Sequence, residues 1–242
     1  MARGPDRSGP DPARHDVSEP LLRAEGLRRT VGDLEIVADA SFVIEAGAWV
    51  SLVGPSGCGK TSLLMMLGLL DRPDHGRLWL DGVDTTAWTP RARARARLGQ
   101  IGFVFQTNNL LDHLTTRDNV ALPAWRAGGS RANAERAADA LLERFGLASR
   151  ATTRAALLST GEGQRAAIAR ALVNQPRLVL ADEPTGSLDS ASAAVVLEAL
   201  REVTSGGTAL VVATHDSTVA ARGPEIAMRD GRIVDRRVES VA

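Results

Sequence analysis

The sequence predicts an α/β domain organised around a phosphate-binding loop, and three observations predict it. Residues 54 to 61, Gly54-Pro55-Ser56-Gly57-Cys58-Gly59-Lys60-Thr61, fit the spacing G-x-x-x-x-G-K-[ST]. The motif stands between an apolar run, Trp49 to Val53, that suits a buried strand, and Thr61 to Leu70, whose leucines and methionines suit a buried helix. Other strand-like runs end on polar residues that can handle phosphate: Ile101 to Phe105 on Gln106, Leu178 to Ala181 on Asp182-Glu183, and Ala209 to Ala213 on Thr214-His215. In a parallel sheet, these carboxyl ends are where ligands bind.

The residue types of the motif follow from its task. A polyphosphate needs several N–H donors converging on it, and glycines let the backbone wrap close. The helix that begins at the loop adds unpaired N–H groups and the positive end of its dipole. Lys60 is the only lysine among 29 basic residues. A compact ammonium fits inside a tight loop where the planar fork of arginine does not.

Composition sets the bounds. A chain of 242 residues with 44% hydrophobic content can bury one large α/β core. The formal net charge is zero, which argues against a nucleic-acid partner. One cysteine excludes an internal disulfide framework and fits a reducing compartment. No apolar run reaches transmembrane length, so the sequence predicts a cytoplasmic chain whose membrane role would need a partner. Aromatic residues make up 3%, and tyrosine is absent.

Taken in order, residues 1–19 are rich in Pro, Gly, Arg and Asp and predict a disordered tail, ahead of a domain over 20–240. From Leu21 to Ile44, short strands such as Ile36-Val37 and Phe42 to Ile44 are expected between turns at Gly26 and Gly32-Asp33, with Gly47 closing the stretch. After the phosphate loop and its helix come a turn over 71–76, a strand at Leu78 to Leu80 and a turn at Asp81-Gly82. Arg91 to Arg97 alternates Arg and Ala and predicts a solvated helix, with a phosphate or membrane-surface patch as the alternative. Residues 107–123 read as a surface loop and helix with exposed Leu110 and Leu111. Helices are expected over Ala132 to Phe145, capped by Gly146, over Gln164 to Val173, and over Ser192 to Val203 with Val195, Val196, Leu200 and Val203 inward. Glu225 to Met228 and Arg232 to Val234 form a closing hairpin around Asp230-Gly231.

The strand-end residues suit one chemistry. An apolar strand that ends in two carboxylates is costly unless a cation meets them, and the Mg²⁺ of a nucleotide supplies that cation. In this pattern Thr61 and Asp182 handle the metal, Glu183 polarises an attacking water, and Gln106 binds metal or orients water. His215 can donate to a terminal phosphate.

With these residues in place, the chain from about Leu21 to Val238 resembles the ATP-binding subunits of ABC transporters. The quoted motifs are GPSGCGKT at 54–61, Gln106, the signature Leu158-Ser159-Thr160-Gly161-Glu162, Asp182-Glu183, Ser187-Leu188-Asp189 and His215. Residues 101–123 and 181–189 resemble the macrolide-export, lipoprotein-release and cell-division branch. The resemblance implies a P-loop NTPase with a RecA-like core, an antiparallel β subdomain and an inserted helical subdomain at about 88–160. It implies ATP and Mg²⁺ as cofactors and a separate membrane permease as partner, with the chain peripheral on the cytosolic face of the membrane. A second ATP-binding subunit, in a homodimer or heterodimer, would bring its Ser159 and Gly161 to the nucleotide held at Lys60, with the signature helix beginning near Gly163-Gln164. The permease would dock on 107–123 and the helical region through Leu158. The resemblance also admits a regulatory, cell-division-type role without transport.

Three departures stand out. Thr160 replaces the first glycine of the usual signature, and would be strained if that position needs a positive φ. The aromatic that stacks on adenine in relatives is absent; Val31 is the best-aligned residue, which predicts weak base discrimination. Cys58 lies inside the phosphate loop, either as a small filler or, beside Lys60 and a helix N-terminus, as a reactive thiol.

Overall fold

The apolar alternation from Leu21 to Ile44 builds two long strands rather than several short ones. In the computed structural model, which describes residues 19–236, β1 (Leu22–Val31) and β2 (Leu34–Ile44) pair antiparallel about the Gly32-Asp33 turn. The break expected at Gly26 is a register shift inside β1, and Asp39 sits in β2 with a φ of 59°. Bulges thus absorb residues that read as turns. The disordered tail expected over 1–19 lies outside the described residues except for Glu19, which is exposed.

The next elements are β3 (Trp49–Val53), α1 (Lys60–Leu67), β4 (His75–Leu80), β5 (Val83–Asp84), α2 (Pro90–Gln100) and β6 (Ile101–Val104). Then come α3 (Thr116–Arg126), α4 (Arg131–Arg144), α5 (Thr160–Leu172), β7 (Leu178–Asp182) and α6 (Ser190–Ser205). The chain closes with β8 (Ala209–Thr214), α7 (Ser217–Ala220), β9 (Glu225–Arg229) and β10 (Arg232–Arg236). One sheet has the order β2-β1-β4-β5 and is antiparallel. The other has the order β10-β9-β3-β8-β7-β6, and all its pairs are parallel except the terminal hairpin.

The period of two along a strand divides the parallel sheet between two cores. Leu178 and Leu180 of β7, with Val211 of β8, join α1 and the antiparallel sheet through Leu63, Met66 and Phe42. Val179 and Ala181, with Leu210 and Val212, face the helices through Ile168, Val196, Leu200 and Leu142. The parallel strands are therefore apolar on both faces, which is why they read as unbroken apolar runs.

Several helices differ from expectation. The loop and helix expected over 107–123 are present, but the helix, α3, runs on to Arg126; Thr115 caps it by accepting from the Asp118 N–H. Val195, expected to face inward on α6, is 48% exposed, while Val196, Leu197, Leu200 and Val203 are buried. Arg93 of α2 is not solvated: it is 5% exposed and donates from Nε to the Leu69 carbonyl at 3.3 Å and from Nη2 to the Asp71 carbonyl. Arg97 reaches the Leu69 carbonyl at 2.7 Å. Both guanidiniums satisfy carbonyls left orphaned after α1, at the negative end of its dipole. Gly146, with a φ of 69°, follows the last turn of α4, as its capping role requires.

Candidate functional site

Four parallel strands, β3, β8, β7 and β6, carry their carboxyl ends to one edge of the sheet. The phosphate loop leaves β3, Asp182-Glu183 ends β7, Thr214-His215 ends β8, and Phe105-Gln106 follows β6. Parallel topology gathers these residues although they span the chain.

The loop backbone depends on glycine where the chain turns closest. A Cβ at Gly54 would collide with the Met228 carbonyl, and one at Gly59 (φ 101°) with the Ile36 carbonyl. No side chain caps the N-terminus of α1, which leaves its first N–H groups for a ligand. Lys60 is buried, and its Nζ donates to the carbonyls of Gly54 at 2.7 Å and Pro55 at 3.1 Å. Pro55, Ser56 and Gly57 form the exposed crown of the loop, and Gly54 before them is half-buried. Cys58 is 4% exposed and packs in the core with its Sγ against Gly54. The structure thus favours the small filler over the accessible, reactive thiol.

Thr61 Oγ1 donates to Asp182 Oδ2 at 2.9 Å. Desolvation, and secondarily the neighbouring Glu183 charge, hold the Asp182 carboxyl above its ordinary pKa against the opposing pull of Thr61 and Lys60. Glu183 adopts a left-handed φ of 44° and donates its N–H to the Ala213 carbonyl at 2.9 Å. Its side chain, 16% exposed, lies 2.7 Å from His215 Nδ1 through Oε1 and accepts from Thr214 Oγ1 at 3.3 Å through Oε2. The His215 side chain is 61% exposed. The carbonyl of Gln106 accepts from Ser187 Oγ at 3.3 Å, and its Nε2 lies beside Gly186 in the turn that follows Glu183.

The Thr61 hydroxyl and a desolvated carboxylate make a hard oxygen pair that fits a magnesium ion. Among the described residues no group of three His, Cys, Asp or Glu is placed to hold a metal.

A family model described as ABC transporter matches residues 37–186. The chain belongs to the ABC transporter family. It is 45% identical to the lipoprotein-releasing system ATP-binding protein LolD 2 of Caulobacter vibrioides, over 92% of this chain and 100% of that protein. It is 44% identical to the macrolide export ATP-binding/permease protein MacB 1 of Aeromonas hydrophila, over 92% of this chain but 35% of that longer protein. Among solved structures, the dimeric bacterial ABC transporter cassette MJ0796 superposes with a TM-score of 0.82 at 33% identity, covering 91% of this chain and 99% of that one. Its dimeric post-hydrolysis state, bound to ADP and Pi, superposes at 0.78 and 32% identity, with the same coverage.

Against the ABC resemblance, the signature is placed differently from expectation. The helix begins at Thr160, not near Gly163. Ser159 is its N-cap, accepting from the Glu162 N–H, while the Glu162 side chain accepts from the Ser159 N–H, a complete capping box. These contacts, then Arg150, hold the Glu162 carboxyl below its ordinary pKa. Thr160 is therefore an ordinary first-turn residue with no positive φ, and the expected strain is absent. Gly161 is buried, and a Cβ there would press on Ser192 Oγ at 3.1 Å. Val31 ends β1 and is 59% exposed beside Leu34, so it offers an apolar edge but no ring.

Sequence reasoning placed Asp189 in a motif and Gln164 at a helix start without giving either its contacts, and it missed Arg170. Asp189 caps α6 through the N–H groups of Ala191 and Ser192, and chiefly the Ser192 contact lowers its pKa. Gln164 and Arg170 reach from α5 to the loop around Gln106. A D/S pair such as Asp189…Ser192 is a helix-start signal that could have been read; no local pattern announces the long-range contacts.

Proposed function

We propose that this chain is the ATP-binding and hydrolysing subunit of an ABC transporter that drives export or release of a substrate through a separate membrane permease. The observation that carries the reading is the bond from Thr61 of the phosphate loop to Asp182, with Glu183 and His215 adjoining. It joins the phosphate cradle to the strand end that carries both the metal-handling Asp182 and the water-activating Glu183.

In this reading Gly54, Pro55, Ser56, Gly57, Cys58, Gly59, Lys60 and Thr61 bind the phosphates. Lys60 exchanges the Gly54 and Pro55 carbonyls for phosphate oxygens. Thr61, Asp182 and Gln106 would hold Mg²⁺, which would supply charge neutralisation of the phosphates when bound. Glu183 takes the proton of the attacking water, His215 orients that carboxylate and meets the terminal phosphate, and Gln106 senses it. Val31 lies against the base.

A second ATP-binding subunit, identical or related, completes the site. In α5 the N–H groups of Thr160 and Gly161 have no acceptor among the described residues, and a phosphate from the partner fits that helix end. The dimeric cassettes at 33% and 32% identity support this pairing. ATP then closes the pair and hydrolysis reopens it, biasing the permease.

No helix among the described residues is long and apolar enough to cross a membrane. We place the chain on the cytosolic face, peripheral to its permease. Leu111, Trp125 and Leu157 of the helical region are exposed, and a groove of about 430 Å³ lined by Leu98, Phe103, Phe105 and Pro123 flanks the Gln106 loop. These support docking there.

The test is Glu183→Gln. Turnover should fall by roughly a hundredfold or more, while ATP binding persists and a closed ATP-bound dimer accumulates. Parental turnover in this variant would reject Glu183 as the base. Loss of activity in EDTA and its return with Mg²⁺ checks the metal.

A further inference from the structure

Helix α5 grips the loop around Gln106 along three of its turns. Gln164, 2% exposed, donates from Nε2 to the Phe105 carbonyl at 2.9 Å. Arg170 donates from Nη2 to the Asn108 carbonyl at 2.7 Å and from Nη1 to the Asn109 carbonyl at 2.6 Å. At Gly163 the Asn108 side chain occupies the space a Cβ would need. The same helix begins at Thr160 and is capped by Ser159 of the signature.

Arg170, like Arg93, directs its charge at backbone carbonyls. Desolvation pushes its guanidinium below the ordinary pKa, and no carboxylate among the described residues offsets that cost. Its planar fork instead spans two consecutive carbonyls, an arrangement that a lysine ammonium cannot match. A leucine or methionine would fill the same place without the desolvation cost. What the arginine adds is a fixed position for residues 108 and 109, two and three places after Gln106.

We infer that Arg170 is a positioning residue for hydrolysis: clamped on the Asn108 and Asn109 carbonyls, it fixes the Gln106 loop to the helix that starts at the signature. Displacement of α5 when two subunits close is thereby passed to Gln106, because the two move as one body. The inference rests on the reading of Gln106 as a residue that acts on the terminal phosphate.

Steady-state Mg-ATP hydrolysis by the full chain tests it. Arg170→Ala should lower kcat about tenfold with KM for ATP within twofold, since the phosphate loop is untouched. In a Gln106→Ala background the same change should have no further effect beyond twofold, because it acts through Gln106. Arg170→Lys should recover part of kcat, as one ammonium reaches one carbonyl. Multiplicative losses in the double variant, or an unchanged kcat in Arg170→Ala, overturn the inference. Should Arg170→Ala fail to fold, Gly163→Ala displaces Asn108 from the other side and should show the same loss, silent in Gln106→Ala; an additive loss there overturns it equally. Parental kcat in Gln106→Ala rejects the role of Gln106 and this inference with it. A reduced kcat there with an unaffected Arg170→Ala rejects this inference alone.

Discussion

Because Cys58 is the only cysteine in the chain, any thiol reaction reports one position inside the phosphate loop. Its side chain is 4% exposed, so a reagent must wait for the loop to open. Opening breaks the bonds from the Cys58 N–H to the Pro55 carbonyl at 3.3 Å and from the Gly231 N–H to the Cys58 carbonyl at 3.1 Å. Each contributes about 1 kcal/mol net. Opening also withdraws Cys58 from the apolar core that it shares with Met228, for about 2 kcal/mol more. The total, about 4 kcal/mol, corresponds to about a thousandfold protection, at 1.4 kcal/mol for each factor of ten. A disulfide reagent followed by absorbance should therefore label the native chain about a thousand times more slowly than the chain in denaturant. ATP at a hundred times its Kd should slow labelling further, by up to about a hundredfold if opening and binding exclude each other. Native labelling within tenfold of the unfolded rate would refute the burial argument and restore the reactive-thiol reading.

Asp182→Asn should stabilise the ligand-free chain at neutral pH, because it removes a carboxylate whose charged form is penalised by desolvation and by Glu183. The sign follows from the raised pKa: the folded state holds the proton more tightly, so wild-type stability falls as pH rises through that pKa. The Tm advantage of Asp182→Asn should accordingly grow between pH 4 and pH 7.5, and a constant difference would contradict it. For Val31, 59% exposed and without a ring, ATP and GTP affinities should differ by less than tenfold, about 1.4 kcal/mol. Titration of both nucleotides checks this, and Val31→Tyr should raise affinity for each.

What could be read from sequence was whatever burial writes into local pattern. Strands buried on both faces appear as apolar runs such as Leu178 to Ala181, and the polar residues that end them mark the ligand edge. The glycines and single lysine of residues 54 to 61 are dictated by close backbone approach, which leaves little choice of residue. Bulges were hidden because Gly26 inside a strand carries the same signal as Gly26 in a turn. Helix α3 was blurred because Pro123 lies within it and few of its residues are buried. Arg93 and Arg170 were illegible for another reason. Their partners are carbonyls of residues distant in sequence, Leu69 and Asp71 for one and Asn108 and Asn109 for the other. A carbonyl carries no residue identity, so such contacts leave no motif.

The pairing of Asp182 with Glu183 raises a geometric question that the backbone answers. Consecutive strand residues point to opposite faces, yet both carboxylates serve one edge. Asp182 is the last residue of β7 and accepts from Thr61, whereas Glu183 turns out of the strand with a φ of 44° and meets His215 and Thr214. The left-handed turn costs a non-glycine residue about 1 kcal/mol, and asparagine tolerates it better than glutamate. A residue held there against its preference marks a site where geometry serves chemistry. Glu183→Asn should therefore abolish hydrolysis without lowering stability beyond the loss of the His215 contact. Glu183→Gln, which keeps the long side chain and the strain, should be no more stable than Glu183→Asn. Paired thermal melts of the two variants decide the matter. A markedly lower Tm for Glu183→Asn would mean that the side-chain contacts of Glu183, and not relief of its backbone, dominate at this position.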